Sequence, residues 1–120
     1  SDWFIDNYIK ASNTGGNDLF GSSVALSDDG LRLAVGAPQE DSNAVGVLAN
    51  PTGGSAAETS NSATNAGAVY LYTRNIAASI WEVKAYVKAS NTPSNTTSRD
   101  QFGRAVSLNQ IGNLLAVGAP

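Results

Sequence analysis

A chain of 120 residues can bury a modest core, and its formal net charge of −3 with only seven lysines and arginines, none in a run, excludes the basic footprint that nucleic acid requires. Cysteine, histidine and methionine are absent, which excludes a disulfide framework, a thiolate nucleophile and a zinc–sulfur site, and removes the commonest general base. No apolar run approaches the roughly 20 residues of a membrane span and no basic amphipathic helix is present, so neither membrane insertion nor a membrane-surface helix is expected.

Charged residues make up only 14% of the chain, and Gly, Ala, Ser, Asn and Thr fill much of the rest, as in a secreted or surface β-protein. With no initiator Met and no signal pattern at Ser1-Asp2-Trp3, a processed chain or an excised fragment is expected.

The first predicted element covers residues 3–12, where Trp3, Ile5 and Ile9 alternate with Asp6, Tyr8 and Lys10 and Asn7 interrupts the apolar side. Residues 20–27 and 31–37 follow as two strands joined by Asp28-Asp29-Gly30, a tight-hairpin signal because Gly tolerates positive φ. LAVGA at 33–37 is apolar on both faces, as a strand sandwiched between sheets must be. Residues 39–66 are long and polar and cannot order themselves as a core element, so the expectation is an excursion at the edge of the fold, closed by partial strand or turn contacts. Residues 67–74 alternate Val69 and Leu71 against Tyr70 and Tyr72. Residues 80–89 alternate Trp81, Val83, Ala85 and Val87 against Glu82, Lys84, Tyr86 and Lys88. No helix is indicated anywhere.

After this point the chain repeats itself. Residues 3–13 (WFIDNYIKASN) return as 81–91 (WEVKAYVKASN), and 18–38 (DLFGSSVALSDDGLRLAVGAP) return as 100–120 (DQFGRAVSLNQIGNLLAVGAP). A period of about 80 residues holding four short antiparallel strands is the signature of a propeller blade, whose two apolar faces must be hidden by stacking. The predicted fold class is therefore all-β: β-propeller blades of four antiparallel strands, about one and a half blades in this chain. Residues 1–17 read as the last strand of a preceding blade and a loop. Residues 18–91 read as one complete blade carrying the long polar loop 39–66, and 92–120 as a loop and the first two strands of the following blade.

The densest oxygen-ligand cluster is Glu40-Asp41-Ser42-Asn43, which with Asp18 offers a calcium candidate. Calcium takes about six to eight oxygens, however, so a solvated loop start with local side-chain-to-backbone bonds is the favoured reading. Asp18 and Asp100 both stand two residues before Phe-Gly, and such recurrence points to a structural hydrogen-bonding role, since catalysis would not need the same acid in every unit. Trp3 and Trp81 recur as packing residues, with Tyr8 and Tyr86 on the opposite side and partly exposed. A sugar-stacking platform is the weaker reading of these rings. Asn95-Thr96-Thr97 fits an N-glycosylation acceptor that also arises by chance in so Asn- and Thr-rich a chain. No nucleophile, base and orienter can be assembled, and nothing places two carboxylates across a cleft for glycoside hydrolysis.

Phe20-Gly21 followed by Gly36-Ala37-Pro38, and Phe102-Gly103 followed by Gly118-Ala119-Pro120, resemble the FG-GAP repeat of integrin α subunits and bacterial surface proteins. The resemblance covers nearly the whole chain outside 39–66. It implies an extracellular or cell-surface propeller used in adhesion, ligand recognition or scaffolding, with ligands meeting loops on one face. The glycines of the motif are expected to allow close backbone approach between blades. Many members carry an Asp-rich calcium loop between the FG and GAP strands. Here that turn holds only Asp28 and Asp29 in the first copy and Asn109-Gln110-Ile111-Gly112-Asn113 in the second, so the calcium loop does not carry over.

The resulting expectation is a non-enzymatic propeller segment with no organic cofactor, calcium being the one candidate ion. Its binding loops would be 39–66 and 92–99. Its partners would be other blades of the same protein or further copies of the chain, with a protein or glycan ligand. An accessory propeller of an extracellular enzyme, and a calcium-stabilised module, are the competing readings.

Overall fold

In a computed structural model of the chain, residues 2–92, 94, 97 and 99–120 are described. They form strands β1 (Ser23–Leu26), β2 (Arg32–Ala37) and β3 (Val47–Ala49), a single-turn helix α1 (Ala56–Thr59), and strands β4 (Ala68–Asn75), β5 (Ile80–Val87), β6 (Ala105–Leu108) and β7 (Leu115–Gly118). The molecule is all-β in architecture, with every strand pairing antiparallel. One sheet runs β1-β2-β4-β5-β3, and β6-β7 form a second, two-stranded sheet packed against β1 and β2.

The hairpin turns explain the local order. Gly30 takes φ +71° and donates to the Ser27 carbonyl at 2.9 Å. The Asp29 carboxylate accepts from Ser27 Oγ at 2.6 Å and from the Leu31 amide at 2.9 Å. In the second copy Gly112 takes φ +73°, and Asn109 Oδ1 accepts from the amides of Asn113 and Leu114, both at 2.9 Å. An amide thus closes the second turn where a carboxylate closes the first.

Cross-strand register sorts the first hairpin into two unlike faces. Ser23 pairs with Gly36 and Ala25 with Ala34, giving a small-residue face; Val24 pairs with Val35 and Leu26 with Leu33, giving a bulky one. The bulky side continues through Tyr70, Tyr72 and Tyr86 into the core cluster, with Ile9, Ala11, Phe20, Trp81 and Val83 packed against it. Phe20 meets the Tyr70 ring edge-on at 5.3 Å between centroids. Such ring pairs add about 0.5–1.5 kcal/mol beyond their buried area.

Four features differ from the sequence expectation. Residues 3–12 form no strand, and Trp3, Phe4, Ile5 and Tyr8 stand exposed. The Arg74–Asp6 ion pair at 2.6 Å and a bond from Asn7 Nδ2 to the Ser79 carbonyl hold this segment to the β4–β5 hairpin instead. Tyr86 is buried at 1% exposure because the β4–β5 register shifts between Leu71 and Tyr72. Ala85 pairs with Leu71 but Val83 with Tyr72, so Lys84 is the extra residue, and the bulge carries Tyr86 round to the side of Val83 and Trp81. The excursion 39–66 is ordered, and its β3 adds a fifth strand beyond β5. It also contains α1, where no helix was expected. The sequence signal was there: Ser55-Ala56-Ala57-Glu58 is a capping box, with the Glu58 amide bonded to Ser55 Oγ at 3.3 Å and Ser55 Oγ bonded back to Glu58 Oε2 at 3.1 Å.

Candidate functional site

The residues with unusual chemistry gather where the Lys10–Asn13 stretch crosses the bulky side of the sheet. Tyr72 Oη donates to the Lys10 carbonyl at 2.8 Å and Tyr70 Oη donates to Asn13 Oδ1. Asn13 Nδ2 donates in turn to the Glu58 carbonyl at 2.7 Å. Burial pushes both tyrosines well above the usual phenol range, with the Glu40 charge adding to the effect at Tyr70. They are neutral donors at any physiological pH.

Glu58 is the organiser of the excursion. Its carboxylate accepts from Ser12 Oγ, from the amides of Thr52 at 3.2 Å and Gly53 at 2.8 Å, and from Ser55 Oγ. Burial opposes its ionisation, but the Ser12, Gly53 and Ser55 bonds together hold its pKa below the ordinary carboxylate value. Gly53, at φ +82°, lies against the Ser12 carbonyl so closely that a Cβ would stand 2.0 Å from that oxygen. The excursion 39–66 thus lies at the sheet edge, closed by β3 and by turn contacts. Residues 39–66 are ordered by satisfied polar groups around two buried carboxylates, with Leu48, Ala63 and Ala66 as their apolar contribution to the interior.

The second buried carboxylate is Glu40. It forms an ion pair with Lys88 Nζ at 2.7 Å, both side chains almost wholly buried, and accepts from the Ser42 amide at 3.1 Å. Burial pulls the Lys88 pKa down while Glu40, Asp41 and Asp18 pull it up, the net direction being down. Tyr86 Oη is buried beside Glu40 and Ser42 without a well-aligned hydrogen bond. Asp41 closes the neck of the excursion: its carbonyl accepts from the Ala63 amide at 2.8 Å and its Oδ1 from the Asn65 amide at 2.7 Å.

Asp18 stands at the edge of this group. Burial, with the Glu40 and Asp41 charges behind it, raises its pKa to about 6, against a bond from the Gly15 amide and the attraction of Lys88. Its carboxylate folds over Gly15, where a Cβ would fall 2.4 Å from Oδ2. Asp18 also lies between two depressions. One, of about 560 Å³, is lined by Tyr8, Ile9, Phe20, Val24, Leu33 and Val35 among others; the other, of about 360 Å³, is polar and includes Ser12, Gly53, Glu58 and Asn61.

The calcium candidates Asp18, Glu40, Asp41 and Asn43 thus fall in one region, but as a donor set they do not fit the ion. Glu40 is bound to an ammonium, Asp41 to a backbone amide, and Asn43 Oδ1 accepts from Ser60 Oγ at 3.0 Å. Among the described residues no three aspartates or glutamates are grouped so as to hold a metal ion. Lys88, which the strand pattern places among the polar residues of 80–89, supplies the positive charge there from a buried position. The glycosylation triplet Asn95-Thr96-Thr97 lies outside the described residues, apart from Thr97.

Two of the repeat glycines, Gly36 and Gly103, occupy a different place, the contact between the two units, and Gly67 joins them there. A Cβ on Gly36 would meet the Gly103 carbonyl oxygen at 2.0 Å and Ser23 Oγ at 2.2 Å. Gly103, at φ +94°, presses on the Ala68 carbonyl, and Gly67, at φ +86°, on Phe102, with which it forms a parallel bridge. Backbone bonds from Phe102 to Ala66 at 2.9 Å and from Asp28 to Gln110 at 2.9 Å cross the same junction, and Ser23 Oγ donates to the Gly103 carbonyl at 2.7 Å. Gly21 and Gly118 show no such crowding: a Cβ on Gly21 would meet nothing within 4 Å, and one on Gly118 only Ala105, at 3.4 Å and beyond.

A family model described as the FG-GAP repeat matches residues 3–72. Neither the curated proteins nor the solved structures give a match to the chain.

Proposed function

Because the chain belongs to the FG-GAP repeat family, we propose that it serves as a non-enzymatic β-propeller segment of a secreted or cell-surface protein, in adhesion, ligand recognition or structural assembly. The observation that carries this reading is the glycine-lined seating of one FG-GAP hairpin on another, with Gly36 beneath Gly103. The chemistry of the buried groups agrees with it. Glu40, Glu58, Lys88, Tyr70 and Tyr72 are spent on one another, on the side chains of Ser12, Asn13 and Ser55 and on backbone, which makes them a framework. The partners are other blades of the same kind or further copies of the chain, with a protein or glycan ligand meeting the exposed loops.

Labelling of intact and permeabilised cells with an antibody against the parent protein tests the location. Signal only after permeabilisation would remove the secreted or surface assignment. Turnover of a hydrolase substrate panel by the purified chain, surviving removal of contaminants, would remove the non-enzymatic one.

A further inference from the structure

The two FG-GAP hairpins have the same two-faced construction. In the second, Ala105 pairs with Gly118 and Ser107 with Ala116 on a small-residue face, while Val106 pairs with Val117 and Leu108 with Leu115 on a bulky one. Each residue is the repeat counterpart of one in the first hairpin: Ala105 of Ser23, Val106 of Val24, Leu108 of Leu26, Gly118 of Gly36.

Within the chain the β6–β7 hairpin sits on the small-residue face of β1–β2, where Ser23 and Gly36 meet Gly103. The bulky residues Val106, Leu108, Leu115 and Val117 are all half-buried, and Ala105, Ser107, Ala116 and Gly118 are exposed on the other side. Of the counterpart bulky positions of the first hairpin, Leu33 and Val35 on β2 belong to the core, whereas Val24 and Leu26 on β1 are left open at 63% and 57% exposure, Val24 lining the 560 Å³ depression. The small-residue face of β6–β7 and the Val24–Leu26 part of the bulky face of β1–β2 therefore both stand open on the surface.

From this juxtaposition we propose that a second copy of the chain docks head to tail. The Ala105–Ser107–Ala116–Gly118 face of one copy seats on the Val24–Leu26 face of the next. The proposal rests on the blade reading above and names the partner and the two faces. The contact is heterologous, since the faces differ, so neither copy uses the same patch as its partner. It also specifies a close approach: the Gly21 carbonyl of one copy would lie over Gly118 of the other, as Gly103 lies over Gly36 within the chain. Gly118 is open for this, with only Ala105 near it, and large apolar residues left open on a sheet face are the usual mark of an interaction site.

Sedimentation velocity on the full chain decides it. The wild type is expected to show species larger than one chain that grow with concentration. Val24→Asp and Ala105→Arg, both at exposed positions, are each expected to sediment as single chains, with far-UV circular dichroism unchanged. Leu26→Lys stands in should Val24→Asp disturb folding. An equimolar mixture of Val24→Asp and Ala105→Arg is expected to regain a species of two chains, because each variant keeps the face that the other has lost. A wild type of one-chain mass at every concentration, or an Ala105→Arg variant that still pairs with itself, would overturn head-to-tail docking. Failure of the blade reading itself would show separately, as fast hydrogen exchange at the Phe102 amide that seats β6–β7 on the first unit.

Discussion

A Cβ on Gly36 would stand 2.0 Å from the carbonyl oxygen of Gly103, so the two units of this chain touch backbone to backbone. The oxygen belongs to a residue held by its own strand junction, so it has no flexible end to swing away. Gly36→Ala is expected to lower the unfolding free energy by about 1–3 kcal/mol, the range for overpacking a tight contact. Gly118→Ala, the same change at the counterpart position, is expected to stay within about 0.5 kcal/mol. Urea denaturation at low protein concentration checks both, and equal losses at the two sites would refute the assigned contact.

Lys88 and Glu40 form a pair that neither can leave alone. Lys88→Met strands a buried carboxylate and is expected to cost about 3–5 kcal/mol. Lys88→Met combined with Glu40→Gln removes the stranded charge and is expected to be less damaging than Lys88→Met alone. A double-mutant cycle measures the difference; strictly additive losses would show that the two side chains do not act as a pair.

Asp18 gives the stability a pH dependence of unusual sign for a carboxylate. Its folded pKa, about 6, lies above the ordinary 3.8, so the folded state holds this proton more tightly than the unfolded chain does. The resulting stabilisation is fully present below pH 3.8 and is lost as pH rises through 6. Because Asp18 is only partly buried, the change is expected to be about 1 kcal/mol after solvent screening. Asp18→Asn keeps an acceptor for the Gly15 amide and should be the more stable protein at pH 7, with the advantage shrinking towards pH 4. Asp6, Asp29 and Glu82, held low chiefly by Arg74, Ser27 and Lys84 respectively, act in the opposite sense at more acid pH. A difference between the two proteins that is flat from pH 4 to pH 7 would count against the assignment to Asp18.

Calcium is expected to leave the unfolding midpoint where a chelator puts it, since Lys88 already neutralises Glu40. A midpoint that rises with calcium and falls back in chelator would reinstate a metal role for Asp18, Asp41 and Asn43.

The strands β1, β2, β4 and β5 were legible because period-two alternation and a Gly turn are local signals that survive without knowledge of the rest of the chain. Alternation failed at Tyr86 for an equally local reason, one extra residue at Lys84, which leaves no trace in the pattern itself. Residues 3–12 carry a strand pattern, but a pattern does not supply the neighbouring backbone that a strand needs. The polar centre was the least legible part. Glu40, Glu58 and Lys88 look like surface residues in sequence, and only the long-range meetings of Lys88 with Glu40 and of Ser12 with Glu58 make them interior. The capping box at Ser55–Glu58 was the one available clue.

The pairing of β2 with β4 has a consequence for how the molecule reaches its fold. The hairpins β1–β2 and β4–β5 are each closed by a short turn and can form on their own. Joining them requires Ala37 to find Ala68 across the whole excursion, a loop closure whose entropy is lost before any ladder bond compensates it. The bonds from the Gly67 amide to the Glu40 carbonyl and from Ala63 to Asp41 draw that loop shut at its neck. Substitutions at Asp41 should therefore slow folding, whereas changes at the exposed residues Asn61 and Ser62 should leave the rate alone.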